Sequence, residues 1–270
     1  REPLMRVFVT GATGFLGSHV ARAMRRAGHH VLGLTRDRSK ARLLAADEIE
    51  PVIGSMQEPA SYQAVAASAT VAIHAAVDYD SDVFALDRLT VETLLAARPE
   101  VLLYTSGIWV YGSTGRTAAD ERAPLAPPIR VSRRPEMEQL ALSSDRVRGI
   151  VLRPGCLYGG AGGMFGDWFA PLSRGEAPVI VGDGTARWTV VHVDDAANAY
   201  LRAAESPLAG EVFNVTDRSR DTVTENVAAA AVAAGYDGEI RYQSVTEAAK
   251  TMGTFAECLT LDQHVDSSKA

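Results

Sequence analysis

Val7-Phe8-Val9-Thr10-Gly11-Ala12-Thr13-Gly14-Phe15-Leu16-Gly17 decides the reading of this chain. An apolar, β-branched run stops on a glycine, and two more glycines follow at intervals of three as an amphipathic stretch begins. Gly11 permits a tight turn, Gly14 lets the backbone approach a pyrophosphate, and Gly17 lets the helix pack closely on the strand. A helix N-terminus adds amide donors and the positive end of a dipole. Gly11, Thr13, Gly14, Phe15, Leu16 and Gly17 are therefore expected to cradle the phosphates of a dinucleotide.

Outward from this turn, apolar runs alternate with stretches of helical period, the pattern of βαβ units. Strands are expected at Arg6–Thr10, His30–Thr35, Glu50–Ile53, Thr70–His74, Val101–Thr105 and Gly149–Leu152. Helices are expected at Gly14–Ala27, Ser39–Ala45, Ser61–Ala67, Val83–Ala97 and Pro135–Leu142. The strands are apolar throughout rather than alternating, as in a sheet covered on both faces. The expected fold is α/β, a Rossmann-like doubly wound parallel sheet with a smaller C-terminal substrate lobe. Residues 5–153 form the dinucleotide-binding domain, with returning elements near 179–205, and 154–270 form mainly the smaller lobe. There the sequence predicts a helix near Trp168–Ser173, a strand near Val179–Val181 and a helix over Asp194–Ala204. Ala118–Ile129, with Pro124, Pro127 and Pro128, reads as a surface loop, and the stretch after Gly210 carries no interpretable motif.

With 270 residues and 47% hydrophobic content the chain can bury a full core. A formal charge of −6 and no basic run longer than Arg25-Arg26 or Arg133-Arg134 give no footprint for nucleic acid, so a small-molecule substrate is the default. No stretch is apolar enough to span a membrane, and Arg1–Leu4 lack the core of a signal peptide. Only Cys156 and Cys258 are present, far apart in sequence, which points to free thiols in a reducing cytoplasm.

Cofactor choice turns on the end of the second strand, where NAD users place an acid on the ribose 2′-hydroxyl. Ungapped counting from Gly11 puts Thr35 there, followed by Arg36. A neutral Thr35 removes repulsion from a 2′-phosphate and Arg36 offers it a fork of donors, favouring NADP over NAD. Asp37 is the rival: a register two residues on restores NAD.

Further matches follow in order across residues 6 to 215: Ile73-His74-Ala75-Ala76, Tyr104-Thr105-Ser106-Gly107, Val110-Tyr111-Gly112, Leu152-Arg153-Pro154-Gly155 and Val191-His192-Val193-Asp194-Asp195. With TGxxGxxG, this set resembles the extended short-chain dehydrogenases, the NAD-dependent epimerase/dehydratase family. The resemblance implies that Ala75, Ala76 and Thr105 line the nicotinamide side of the cofactor, with Pro154 and Gly155 beneath it. It also implies a homodimer through two helices, Val83–Ala97 among them. The family's Ser, Tyr and Lys do not carry over directly. The Ser position is Gly107, with Ser106 the nearest hydroxyl. Counted back from Glu138, the Lys of YxxxK is Arg134 and the Tyr is Arg130. RxxxR in place of YxxxK is similar to atypical members of the superfamily. Arg134 is then placed on the ribose hydroxyls. Arg130, too weak an acid to give up a proton, is left with electrostatic stabilisation of an oxyanion.

Other candidates have plainer readings beside them. Tyr111 supplies a phenol after the fifth strand, or is a packing residue with its hydroxyl on the backbone; Tyr79 and Tyr158 are similar. His74 reads as a satisfied core histidine, and His192 as capping or orienting the helix after it. Asp194 and Asp195 read as an N-cap and first-turn acids. No His, Cys and Asp groups share a metal-ligand spacing, so no metal is expected. Arg187 resembles the substrate-phosphate arginine of sugar-nucleotide epimerases only with one residue inserted, and otherwise reads as a surface ion-pairing residue. The Asn of those enzymes corresponds to Cys156, which weakens a nucleotide-sugar substrate. Three functions remain: an NADP-dependent oxidoreductase or epimerase-like enzyme using Ser106, Arg130, Arg134 and Tyr111; a non-catalytic, NADP-responsive regulator; and a non-redox lyase or isomerase on the same scaffold.

Overall fold

The computed structural model describes residues 4–79, 81–160 and 162–270. Arg1–Pro3, and Ala161 within the glycine-rich stretch, lie outside them. The chain runs β1 (Arg6–Thr10), α1 (Phe15–Arg26), β2 (His30–Thr35), α2 (Arg38–Ala46), β3 (Glu50–Ile53), α3 (Gln63–Ala66), β4 (Val71–His74) and α4 (Val83–Ala97). It continues with β5 (Val101–Thr105), α5 (Arg134–Leu142), β6 (Arg148–Pro154), β7 (Cys156–Tyr158), α6 (Gly166–Leu172), β8 (Val179–Val181), β9 (Val190–His192) and α7 (Val193–Glu205). The last elements are β10 (Glu211–Val215), α8 (Val223–Ala233), β11 (Arg241–Gln243), α9 (Val245–Met252) and α10 (Phe255–Cys258).

A seven-stranded sheet has the order β10-β6-β5-β4-β1-β2-β3, and neighbours from β6 to β3 pair in parallel. This is the doubly wound arrangement expected from the alternating pattern. Helices α1, α4 and α5 bury apolar stripes against it; α1 contributes Leu16, Val20, Ala21 and Met24 at helical spacing. Under one face Phe8 stacks on Tyr62, with ring centroids 5.9 Å apart, amid Leu32, Leu94, Leu102 and Val151. Each such fully buried large side chain contributes about 1.5–3 kcal/mol.

Contacts divide the chain into two compact units. The first is the segment ending at Ser106 with Arg133–Arg153 and Asp194–Phe213; the second is Gly107–Ser132, Pro154–Val193 and Asn214–Ala270. The second unit has its own core, where Trp168 stacks on Trp188 at 5.2 Å beside Ile180, Val223 and Val227. Its β7–β9 and β8–β11 pairs are parallel.

Two local expectations need correction. The helix expected over Ser61–Ala67 is a 3₁₀ turn, Pro59–Ser61, followed by the single turn of α3, because Tyr62 at φ −137° interrupts the helical run. His192 ends β9 and stands directly before α7, its ring edge-on to Tyr158 at 5.3 Å. Since α7 starts at Val193, both Asp194 and Asp195 lie in its first turn, and Asp194 pairs with His19 Nδ1 at 2.6 Å. The segment after Gly210, unread in sequence, supplies the edge strand β10.

Candidate active site

The glycine turn follows β1 directly. Gly11 has φ +71°, and a Cβ there would stand 2.5 Å from the Ala75 carbonyl oxygen and 2.9 Å from Ala76 Cα. The turn and the Ala75-Ala76 pair after β4 thus touch through bare backbone. A Cβ on Gly17 would lie 2.1 Å from Gly11 O, so α1 can approach the turn only with glycine at this position. Gly14 is the N-cap of α1 and offers no side chain to the helix amides, leaving those of Phe15, Leu16 and Gly17 to an outside acceptor. The Leu16 side chain is buried, so only its amide can serve a ligand. Close backbone, an uncapped helix start and no intruding Cβ fit a pyrophosphate.

β2 ends at Thr35, the position reached by ungapped counting. Asp37 is the N-cap of α2, its Oδ1 accepting from Ser39 N at 2.7 Å, and the Ser39 side chain together with that amide holds its carboxyl below the usual range. Arg36 is exposed and donates from Nη1 to Asp78 Oδ2 at 2.8 Å.

Beneath the turn lies a buried polar row that sequence reading did not assemble. Register pairs Thr10 with His74 across β1 and β4, and His74 with Tyr104 across β4 and β5. Thr10 Oγ1 lies 2.7 Å from His74 Nδ1, His74 Nε2 lies 2.8 Å from Asp87 Oδ1, and Tyr104 Oη donates to Asp87 Oδ2 at 2.7 Å. Facing a carboxylate, Nε2 carries a proton and donates to Asp87. His74 is therefore a satisfied core residue. Burial raises the Asp87 carboxyl, but the His74 hydrogen bond, the charges of His74 and Arg134, and the Tyr104 hydroxyl outweigh it and hold the group below its ordinary value.

Arg134 opens α5 and donates from Nη1 to the Thr105 carbonyl at 2.6 Å, with its Cζ 6.0 Å from the Tyr104 ring centroid. Burial disfavours its charge, but Tyr104, Asp87 and the half-exposed Tyr79 more than offset this and hold the guanidinium cationic. Among the described residues no carboxylate lies within ion-pair distance of it. Thr105 Oγ1 accepts from Tyr200 Oη at 2.7 Å. Next along, Ser106 Oγ donates to Glu138 Oε1 at 2.5 Å, and Arg153 grips the same carboxylate through Nε (2.8 Å) and Nη2 (2.5 Å). All three are buried, so the Ser106 proton belongs to Glu138.

The first unit therefore gathers Gly11–Gly17, Arg36, Ala75, Ala76, Thr105, Ser106 and Arg134. The remaining expected residues belong to the second. Arg130 sits on a 3₁₀ turn, Ile129–Val131, with its Cζ 5.0 Å from the Phe255 ring centroid. It shares no continuous helix with Arg134. Tyr111 is buried and donates to Asn214 Oδ1 at 2.8 Å, a side-chain partner rather than a backbone one. Pro154 and Gly155 open this unit's middle segment, and a Cβ on Gly155 would stand 2.6 Å from Thr189 O. Arg187 is an ion-pairing residue: Asp262 takes its Nε at 2.8 Å and Nη2 at 2.6 Å, while Gly115 O accepts a further bond at 2.7 Å. Among the described residues no group of His, Cys, Asp and Glu could hold a metal, and no helix is long and apolar enough to cross a membrane.

Known proteins share this arrangement. An uncharacterized protein of Schizosaccharomyces pombe is 28% identical over 272 residues, 97% of this chain and 91% of its own length. A 3-diazoavenalumate denitrifying reductase of a Streptomyces species is 34% identical over 234 residues, 79% of this chain and 76% of the relative. The crystal structure of human epimerase family protein SDR39U1 with NADPH superposes with a TM-score of 0.80 at 22% identity, covering 97% of this chain and 91% of that one, a likeness of fold. The family described as NAD-dependent epimerase/dehydratase matches residues 7–216. With the glycine turn, the strand order and that match in agreement, the chain belongs to the NAD-dependent epimerase/dehydratase family.

Proposed function

We propose that this protein is an NADP-preferring oxidoreductase acting on a carbonyl or secondary alcohol of a small molecule, with a guanidinium in place of the usual Tyr–Lys pair. The observation that carries the reading is Arg134: a cation held on the Thr105 carbonyl at the C-terminal end of β5, with no carboxylate in ion-pair reach among the described residues. When bound, the nicotinamide dinucleotide supplies or accepts the hydride. In reduction the carbonyl carbon gains the hydride, the C=O π pair moves to oxygen, and the alkoxide takes its proton from water. Arg134 stabilises the negative charge while it develops. Ser106 cannot donate to that oxygen while its proton is on Glu138, but its lone pairs can orient a substrate hydroxyl.

Preference for NADP rests on β2 ending at Thr35 and on Asp37 being committed to the cap of α2, which leaves Arg36 as the polar group offered to the 2′ position. Net reduction is supported by a relative named as a reductase. Arg187, already gripped by Asp262, supports a substrate without a nucleotide diphosphate. Substrate recognition is assigned to the second unit, and the dimer to α4, whose Ala85, Leu89 and Ala96 face solvent. Two buried free thiols suit a reducing compartment such as the cytoplasm.

Arg134→Ala is expected to lower NADPH consumption on a panel of ketones by about 100-fold or more, with Arg134→Lys recovering part of the loss. Undiminished turnover in the alanine variant would sink this mechanism. NADPH binding with no turnover of any panel member by the wild type would favour the regulator instead.

A further inference from the structure

Arg36 follows β2 and Asp78 follows β4, and β1 runs between those two strands. The two residues therefore stand on opposite sides of the glycine turn that ends β1. Neighbouring strands lie about 4.8 Å apart, so the flanking chains are about 10 Å from one another, a span that the arginine and aspartate side chains cover together. Its Nη1 donates to Asp78 Oδ2 at 2.8 Å. The partners are unequal: the Asp78 side chain is 8% exposed and the Arg36 side chain 66%. Asp78 is the fixed end of the bridge and Arg36 the movable one.

We propose that Asp78 sets how strongly the protein discriminates NADP(H) from NAD(H), by competing with the 2′-phosphate for Arg36. The inference rests on the reading of Arg36 as the 2′-phosphate ligand. A phosphate monoester carries roughly −1.5 to −2 charge at neutral pH. To meet it, Arg36 leaves Asp78 or divides its donors between two anions, and the fixed carboxylate repels the arriving phosphate. Both effects subtract from the advantage that Arg36 alone would give NADP(H). A 2′-hydroxyl makes no such demand, so NAD(H) enters with the ion pair intact. The protein's own carboxylate thus acts on one nucleotide and spares the other. If the pair were only a tie between two loops, its loss would affect both nucleotides alike.

The test is calorimetric titration of the full chain with NADPH and with NADH, using wild type, Asp78→Asn and Arg36→Ala. Asp78→Asn is expected to tighten NADPH about fivefold to twentyfold and to leave NADH within about twofold. Raising the salt should shrink the difference, since the groups are partly exposed. Arg36→Ala should weaken NADPH alone. If Arg36→Ala alters neither nucleotide, the 2′-phosphate reading fails and this proposal with it. If Arg36→Ala weakens NADPH while Asp78→Asn leaves the ratio unchanged or lowers it, the proposal fails alone. Should Asp78→Asn not fold, Asp78→Ser carries the same expectation.

Discussion

Gly17→Ala is expected to abolish binding of nicotinamide dinucleotides, weakening it by about 100-fold or more, the equivalent of about 2.7 kcal/mol. Two effects oppose each other at this position. Alanine favours a helix over glycine by up to about 1 kcal/mol. Its Cβ, however, would lie 2.1 Å from Gly11 O and 2.7 Å from Gly11 C, where the obstacle is backbone rather than a side chain that can swing away. The overlap wins, so α1 must withdraw from the turn and carry its amides out of position. Gly14→Ala separates folding from binding. Its Cβ meets only Gly11 O, at 3.2 Å, and φ is an ordinary −84°, so the fold should accept it with a small shift. The added methyl nevertheless stands where a pyrophosphate must approach, and affinity should fall without loss of thermal stability. Isothermal titration of both variants with NADPH, beside their melting curves, measures this. Wild-type affinity in Gly17→Ala would refute the assignment of the turn.

The second large effect concerns stability. Glu138 and Arg153 are 4% and 3% exposed, and the carboxylate also holds Ser106 Oγ. Removing one member of a buried pair strands the other charge, at a cost of about 3–5 kcal/mol. Glu138→Ala should therefore lower the melting temperature by roughly 6–15 °C in a chain of this size. Replacing both charges, as in Glu138→Leu with Arg153→Met, should recover most of the loss, since apolar residues of similar volume need no counter-ion. Urea denaturation of Glu138→Leu, Arg153→Met and the double variant closes the cycle. Single variants within about 1 kcal/mol of wild type would place the pair in a far wetter setting than its burial indicates.

Much of the first unit was legible because its strands are continuous apolar runs. β1, β2, β3 and β5 fall on the expected boundaries, as does α4. The strands missed, β7, β9, β10 and β11, are short or mixed in character and declare themselves only through their partners. The site was less legible for a related reason. Thr10, His74 and Tyr104 form a row only once strand order and register are known, and each read alone says nothing of the other two. One member did leave a trace: Asp87, Thr90, Val91 and Leu94 share the buried stripe of α4, and a carboxylate on such a stripe requires a partner. Glu138, beside Met137 and Ala141 on the buried side of α5, left the same trace. The bond between Arg36 and Asp78 left none, because 42 residues separate its ends and only the crossover of β4 past β1 brings them together.

Burial pushes the Cys156 thiol up to about 12 and the Cys258 thiol up to about 11. At neutral pH the Cys156 thiol is held in its neutral form, and only the ionised form attacks an alkylating reagent. The native protein is therefore close to inert toward iodoacetamide, while a chain whose second unit has opened regains two ordinary thiols. Alkylation in the absence of denaturant thus becomes a clock for that opening, with no label introduced beforehand and no residue substituted.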